Sequence, residues 1–256
     1  MLQVATPPLA TPVVPRPERV YRLHLRHGTQ DIQSALALRF EVFNLELNEG
    51  LTESYDMGLD RDPFDAVCDH LLVEEAASGQ IVGTYRMQTG LRAEQALGYY
   101  SEREFDFSPY EALRAQMLEL GRACIHRQHR NFAVLSLLWS GIARHARAQG
   151  VRYLVGCSSL TSQDAAVGAA AYALLAPHLA APALRTRPTP EFACPLELTA
   201  PTAPAIPRLL SAYLALGACL CGPPAIDRDF RTIDFLTLLD LQAPAMRALQ
   251  SRGRFI

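Results

Sequence analysis

A glutamate lies inside an otherwise apolar run at 117–125, and an arginine follows it three residues later. A buried carboxylate is rare without a partner, and burial raises its pKa towards the range that a general base needs. Strict alternation along a strand places Glu119 and Arg122 on opposite faces, but a bulge at Gly121 would bring them to one face. The run therefore predicts either a general base or a structural Glu–Arg pair.

A basic loop follows this run and leads into a helix with apolar residues at 134, 138, 142 and 146. A helix N-terminus presents free N–H groups and the positive end of the helix dipole, which suits a phosphate. The glycines of Walker and dinucleotide-binding loops are absent, so the alternative is an ordinary solvated loop. The candidate phosphate-binding residues are Arg127, Arg130, Asn131, Phe132 and Ala133.

The chain has 256 residues and a net charge of -2 at pH 7, and all 24 of its basic residues are arginine. The lack of lysine excludes Schiff-base and P-loop lysine chemistry, and the charge argues against nucleic-acid binding. Residues 31–119 carry 18 acids against six arginines, whereas 120–163 carry six arginines and no acid. The asymmetry indicates either an anionic partner for the basic segment or a fold in which the two halves neutralise each other.

Six cysteines occur at irregular spacings and no secretory signal opens the sequence, so we expect free thiols in a reducing cytoplasm. A C-x-C pair at 219–221 and a C-x-H-x-x-H set at 124–129 do not supply four ligands each, so no metal is expected. Two uncharged stretches, 165–184 and 209–226, are interrupted by glycine and proline and predict buried helices rather than membrane spans. Peripheral contact with a membrane surface stays open.

The pattern of apolar residues predicts one mixed α/β domain over 19–256, preceded by a flexible, proline-rich tail over 1–18. Residues 49–69 form a long acidic loop, which is typical of a functional or a poorly ordered segment. The predicted strands are 20–26, 69–75, 80–88, 117–125, 151–156 and 232–239, with a hairpin turn at 76–79. The predicted helices are 32–47 with Thr29 as its candidate cap, one through 134–146 that ends at Gly150, 164–176 and 207–216.

Eight short motifs occur in order between residues 20 and 240. They are RFEVF at 39–43, DPFDAVCDHLLV at 62–73, VGTYR at 82–86, ELGR at 119–122, LWSGI at 138–142, GCSS at 156–159, YLALGA at 213–218 and TIDFL at 232–236. In this order they resemble the ornithine-acyl carrier protein N-acyltransferases, GNAT-like enzymes related to the N-acyl amino acid synthases. The resemblance to acyl-homoserine lactone synthases is more distant, because 44–47 reads NLEL where those enzymes usually carry a tryptophan.

The resemblance implies a GNAT-type α/β fold, with a mixed, mostly antiparallel sheet whose central strands splay apart and are flanked by helices. In that fold the pantetheine arm of the donor enters the gap beside a bulge in the fourth strand, and the next loop holds phosphate. It also implies an acyl chain on the phosphopantetheine of acyl carrier protein as donor, no bound cofactor, and the α-amino group of ornithine as acceptor. The product would be lyso-ornithine lipid. Acyl carrier protein is acidic, which favours an anionic partner for 120–163.

Three residues of the apolar run would carry the chemistry of such a transfer. Glu119 is the expected general base for the α-ammonium, directly or through a water. The backbone N–H groups around Gly121 and Arg122 are expected to hold the tetrahedral oxyanion. No acyl-enzyme is required, so the cysteines are expected to be structural.

Four charged residues on the N-terminal side are candidate substrate ligands. Asp62 and Asp65 either bind the two ammonium groups of ornithine or belong to a solvated or capped loop. Arg39 and Arg86 either bind the ornithine carboxylate or lock the acidic loop to the core through these aspartates, and for Arg39 we favour the lock.

Other functions remain compatible with the sequence. The enzyme could acylate a different amine, or acetylate one from acetyl-CoA, and a GNAT-like binding module would not be catalytic at all. A binding module ranks last, because it gives no role to a glutamate inside a strand beside a phosphate-type loop.

Overall fold

The computed structural model describes residues 20–29, 31–200, 202–244 and 246–247, and the tail predicted at 1–18 lies outside them. Alternating and apolar runs in this part of the chain form one sheet of eight strands. The strands are β1 (Tyr21–His27), β2 (Asp69–Glu75), β3 (Ile81–Thr89), β4 (Met117–Ile125), β5 (Tyr153–Leu160), β6 (Cys219–Leu220), β7 (Ala225–Asp227) and β8 (Thr232–Asp240).

The strand order is β1-β2-β3-β4-β5-β8-β6, and β7 also pairs with β8. β4 and β5 run parallel, whereas the other pairings of the described strands are antiparallel. The bounds of β2 and β4 are those predicted, and β5 continues to Leu160, beyond its predicted end. The expected mixed, mostly antiparallel sheet flanked by helices is therefore confirmed.

The α-helices of the described residues are α1 (Gln33–Phe40), α2 (Ser54–Met57), α3 (Gly90–Gln95), α4 (Phe132–Ala148), α5 (Ala165–Leu175) and α6 (Arg208–Ala215). α1 continues into a π-helical turn over Glu41–Glu46. Ile32 takes the N-cap position of α1, so Thr29 does not cap this helix as predicted. The sequence does not predict α3, β6 or β7, nor α2 inside the predicted loop 49–69, because such short elements leave too few positions for a periodicity. Within the described ranges, no helix is long and apolar enough to cross a membrane.

Apolar side chains cover both faces of the sheet. On one face, Val134, Leu138 and Ile142 of α4 pack against strand residues that include Leu71 and Leu118. On the other face, buried aromatic side chains cover the middle of the sheet: Tyr99, Phe105, Phe107 and Tyr110. Burying a large apolar side chain contributes roughly 1.5–3 kcal/mol, so these two layers fix the positions of the central strands.

The two central strands separate soon after they meet. β4 and β5 pair only from Met117–Glu119 with Tyr153–Val155, although both strands continue further. At Gly156 a Cβ would lie 2.2 Å from the carbonyl oxygen of Leu120, so only glycine allows the close approach at the point of divergence. Beyond it, the edges of both strands face a gap, as the GNAT-type fold implies.

β4 also carries the expected bulge, but one residue later than predicted. Arg86 of β3 pairs with Gly121, whereas Thr84 pairs with Cys124, so β4 has one residue too many in this stretch. Arg122 adopts a left-handed backbone with φ of 48°, whereas Gly121 does not use its conformational freedom. A left-handed arginine costs of order 1–3 kcal/mol and persists only where its surroundings hold it.

Candidate active site

A cavity of about 350 Å³ occupies the gap between β4 and β5. It is lined by residues 119–123 of β4 and 154–159 of β5, and it therefore reaches both faces of the sheet. On one side the lining is apolar, with Leu154, Tyr213 and Leu239. The other side is lined by polar and acidic side chains: Glu49, Ser101, Glu119, Ser159, Asp227 and Asp234. Ser158 alternates with Ser159 along β5 and lies on the side of Leu154. The cavity therefore joins an apolar channel to an acidic chamber.

Glu119 faces the cavity and is 6% exposed. Its two carboxylate oxygens accept hydrogen bonds of 2.8 Å from the backbone N–H groups of Tyr100 and Ser101, at the start of the 3-10 helix Tyr100–Arg103. Burial raises the pKa of Glu119, and these hydrogen bonds oppose the shift only in part. Glu119 therefore anchors a neighbouring turn and is at the same time a carboxylate of raised basicity beside the cavity.

Arg122 does not pair with Glu119, the structural alternative raised by the sequence. Its guanidinium donates to Asp60 over 3.3 Å and to Asp62 over 2.9 Å. It also lies over the rings of Tyr100 and Phe230, 4.8 and 4.4 Å from their centroids. These contacts hold the left-handed backbone of the bulge in place.

Arg39 is 1% exposed and joins the same charged group. It donates to Asp65 over 2.7 and 3.2 Å and to Asp60 over 2.5 Å. Burial alone would raise the pKa of Asp65, but Arg39 and Arg86 outweigh burial and hold that pKa well below its usual range. Arg39 therefore locks the acidic loop to α1.

Arg86 completes what we call the six-charge cluster. It donates to Asp62 over 2.5 Å and to Asp65 over 3.0 Å. Asp62 also caps the 3-10 helix Pro63–Ala66 in a capping box with Asp65. The structure thus brings together the four predicted substrate ligands as a lock between loop and core, and it adds Asp60, which sequence reasoning missed. The members of the cluster are Arg39, Arg86, Arg122, Asp60, Asp62 and Asp65.

The predicted phosphate loop lies between β4 and α4. Asn131 is the N-cap of α4, and its side chain accepts the N–H of Val134 over 3.1 Å. Arg130 is exposed and forms a two-bond ion pair with Glu46, at 2.6 and 2.8 Å. Arg127 is exposed and forms no ion pair with any described residue. The exposed start of α4 also includes Phe132 and Ala133.

Four further buried carboxylates lie around the acidic side of the cavity, and we call them the acid quartet: Glu49, Glu104, Asp227 and Asp234. Sequence reasoning assigned none of them a role, although Asp234 belongs to one of the motifs of the resemblance. They come from segments up to 185 residues apart in number, and only the placement of β8 beside β5 brings them together. No local pattern in the sequence signals such a group.

Glu49 is a member of the quartet whose pKa lies near neutral pH. Burial raises its pKa to about 7, a hydrogen bond from Thr161 opposes the shift, and the nearby Asp234 adds to it. Because this value lies above the ordinary 4.5, the folded protein binds a proton that the unfolded chain releases at intermediate pH. Stability from this group is therefore present at low pH and is lost as pH rises through 7.

A Glu49→Gln variant is expected to gain stability relative to the wild type as the pH rises. The amide is neutral in both states and can still accept the hydrogen bond from Thr161. Urea titrations between about pH 5 and pH 8 should show a difference in the free energy of unfolding that grows in favour of the variant. A difference that does not change with pH would contradict the raised pKa of Glu49.

The cysteines show no sign of nucleophilic activation. Cys124 of β4 is 7% exposed, and burial raises its pKa well above the usual value. The same holds for Cys157 of β5, beside the cavity. Both side chains are therefore protonated thiols at neutral pH. Because the thiolate is the reactive form, neither cysteine is activated as a nucleophile.

Comparisons with known proteins agree with this geometry. Residues 38–140 match the model of an acetyltransferase (GNAT) domain. Among solved structures, a CoA-dependent acyl-homoserine lactone synthase superposes with a TM-score of 0.54 at 14% identity, over 91% of this chain and 89% of its own. The N-acyl amino acid synthase FeeM from uncultured soil microbes also gives 0.54, at 10% identity, over 91% of this chain and 97% of its own. At these identities the likeness shows the fold alone.

Curated relatives are much more similar in sequence. The L-ornithine N(alpha)-acyltransferase of Rhodobacter capsulatus is 32% identical, over 87% of this chain and 91% of its own length. That of Brucella abortus is 31% identical, over 90% of this chain and 88% of its own. Identity at this level across nearly the whole of both proteins places the chain in the L-ornithine N(alpha)-acyltransferase family, within the GNAT-like acyltransferases.

Proposed function

We propose that the protein transfers a (3-hydroxy)acyl chain from the phosphopantetheine thioester of acyl carrier protein to the α-amino group of L-ornithine, giving lyso-ornithine lipid. The observation that carries the proposal is the cavity through the β4–β5 gap, which joins an apolar channel to an acidic chamber. An acyl chain suits the channel and a cationic amino acid suits the chamber. The thioester would then lie between them, beside Glu119.

The reaction follows from this placement. Glu119 takes a proton from the α-ammonium, directly or through a water, and the free amine attacks the thioester carbonyl. Past Glu119, β4 has no pairing with β5, so N–H groups around Gly121 and Arg122 are available to the tetrahedral oxyanion. Collapse of this intermediate breaks the C–S bond, and the leaving thiolate of the phosphopantetheine takes up the proton that the attacking nitrogen loses. No resident cofactor takes part.

The exposed start of α4 is the proposed contact with acyl carrier protein. Arg127, free of ion pairs with the described residues, presents its charge beside a helix N-terminus. The phosphate of the donor arm and the acidic surface of the carrier are complementary to it. We place the enzyme in the cytoplasm with peripheral contact to the membrane, where an amphiphilic product would be released.

An Arg127→Glu variant is expected to raise KM for the acyl carrier protein about tenfold and to leave kcat nearly unchanged. The increase should shrink at high salt, because the contact is exposed. Arg147→Glu is the matched control, since it makes the same charge change near the other end of α4, about 22 Å along the helix from Phe132. Steady-state kinetics that show the same KM for both variants would contradict docking at the start of α4.

The function is tested with purified protein, 3-hydroxyacyl carrier protein and a panel of amines, with lipid products followed by mass spectrometry. Ornithine should give a product acylated at the α-nitrogen. Product from another amine but none from ornithine would overturn the acceptor, and turnover with acetyl-CoA alone would overturn the donor. No product with any pair would favour a binding module.

A further inference from the structure

The two buried sets of charged side chains at this site, the six-charge cluster and the acid quartet, differ in their balance of positive and negative charge. The six-charge cluster contains three arginines and three aspartates in direct contact. By contrast, no arginine or histidine nitrogen of the described residues lies within 4.0 Å of a carboxylate of the acid quartet. Buried carboxylates are ordinarily paired with a cation or protonated, so the quartet is short of positive charge.

Within the acid quartet, Asp234 has a buried carboxylate oxygen that accepts no hydrogen bond from the part of the chain that the structure describes. It is 4% exposed and lines the cavity. Its Oδ1 has no hydrogen-bond partner among the described residues. Ser159, Thr232 and Glu104 lie close to the carboxyl, but none of them makes a hydrogen bond of ordinary geometry to that oxygen. A buried acceptor without a donor is destabilising, and a ligand with N–H donors would supply the missing hydrogen bond.

Glu104 lies directly behind Asp234. Their carboxylates and the sulfur of Cys157 lie within 4.8 Å of one another. Burial and the neighbouring carboxylates raise the pKa of Glu104, and burial raises that of Asp234 to about 6. Two carboxylates at this separation must share a proton or hold a cation between them.

The register of the sheet relates the position of Asp234 to that of Glu119. Asp234 of β8 lies opposite Ser159, which is four residues beyond the partner of Glu119 on β5. Residues directly opposite in a ladder share a face, and side chains two apart along a strand do too. Asp234 and Glu119 therefore face the same side of the sheet, with Asp234 on the side where β4 and β5 diverge.

We infer that Asp234, backed by Glu104, binds the side-chain ammonium of a diamino acid acceptor and thereby selects it over amino acids with neutral side chains. The inference rests on the proposed function, because it takes ornithine as the acceptor. Asp62 and Asp65, the aspartates expected to bind ammonium groups, are already held by arginines. The Asp234–Glu104 pair offers the acceptor oxygens that those two do not.

An ammonium group fits this pair better than a metal ion. Burial raises the pKa of the Cys157 thiol well above its usual value, so the sulfur stays protonated and is a poor metal ligand. The two remaining carboxylates are fewer side chains than zinc takes in a structural site. An ammonium needs only two or three acceptors, which Asp234 and Glu104 supply.

The test compares ornithine with norvaline, which has the same chain length but no side-chain amine. The wild type should favour ornithine by at least 100-fold in kcat/KM. Asp234→Asn should lose about 100-fold in kcat/KM for ornithine and keep its rate with norvaline, since an unpaired buried ammonium is strongly disfavoured. Glu104→Gln should weaken the same preference less. Asp240→Asn, which removes an acid from the partly exposed end of β8, should leave the preference unchanged.

The outcomes separate the inference from the proposed function. A wild type that acylates neither ornithine nor norvaline overturns the function. A wild type that prefers ornithine, with the same preference in Asp234→Asn, overturns the inference alone. Norvaline turnover and a circular dichroism spectrum show that the variant is folded. Calorimetry with Zn²⁺ alone covers the remaining case: binding that is lost in Asp234→Asn, with activity lost to a chelator, would assign the pair to a metal instead.

Discussion

An Arg39→Ala variant is expected to lose about 3–5 kcal/mol of unfolding free energy, the usual result of removing one partner from a buried ion pair. The guanidinium bridges Asp60 and Asp65, which are 0% and 1% exposed. Without it, each aspartate keeps one arginine, from Arg122 and Arg86 respectively. Two buried carboxylates would then be under-compensated, and water has little access to replace the lost donors.

The loss is measured by urea denaturation, with Arg22→Ala as the matched control. Arg22 pairs with Glu74 at 3.4 Å but is 63% exposed, so its loss should change stability by less than about 1 kcal/mol. Arg39→Lys should fall between the two, because one ammonium cannot reach both aspartates in the same geometry. A loss for Arg39→Ala no larger than that for Arg22→Ala would show that the lock contributes little.

The sequence predicts most of the sheet because each long strand carries its own apolar pattern. β2 and β4 have the predicted bounds. The pairing of β4 with β5 ends at Glu119, which leaves the gap between these strands that the resemblance implies. The position of the bulge, by contrast, could not be predicted from the local sequence pattern. Glycine is the residue that sequence rules place at a bulge, but Arg122 takes the left-handed backbone because distant partners hold its side chain.

For the charged residues of the site, too, the sequence shows the residues themselves but not their partners. Asp62 and Asp65 stand out in the sequence because they lie close together in an acidic loop, but their partners Arg39 and Arg86 are more than 20 residues away. Asp234 lies in a mostly apolar strand, and its neighbours come from segments that only the β5–β8 pairing brings close. A single sequence shows which charges exist, whereas the fold decides which of them neutralise each other.

Replacing Glu119 by glutamine is expected to lower kcat about 10²–10⁴-fold, the usual contribution of a positioned general base. The base must be ionised to act, and burial raises the pKa of Glu119. Wild-type kcat should therefore fall as the pH drops through this raised pKa, and the variant should lose this acidic limb. Measurement of kcat against pH with saturating substrates tests both expectations.

The same substitution also disturbs the fold, and a control must separate the two effects. The side-chain NH₂ of the glutamine would face the backbone N–H of Tyr100 or Ser101 and leave it without an acceptor. The loss of this hydrogen bond lowers the free energy of unfolding by about 1–3 kcal/mol. Glu102→Gln loosens the same 3-10 turn, because Glu102 accepts the N–H of Tyr99 over 3.0 Å, yet Glu102 lies outside the cavity lining. If loosening this turn were the whole effect, Glu102→Gln would lower kcat as much as Glu119→Gln and both variants would keep the acidic limb. A kcat that falls only in Glu119→Gln, with loss of the limb, assigns the proton transfer to the carboxylate itself.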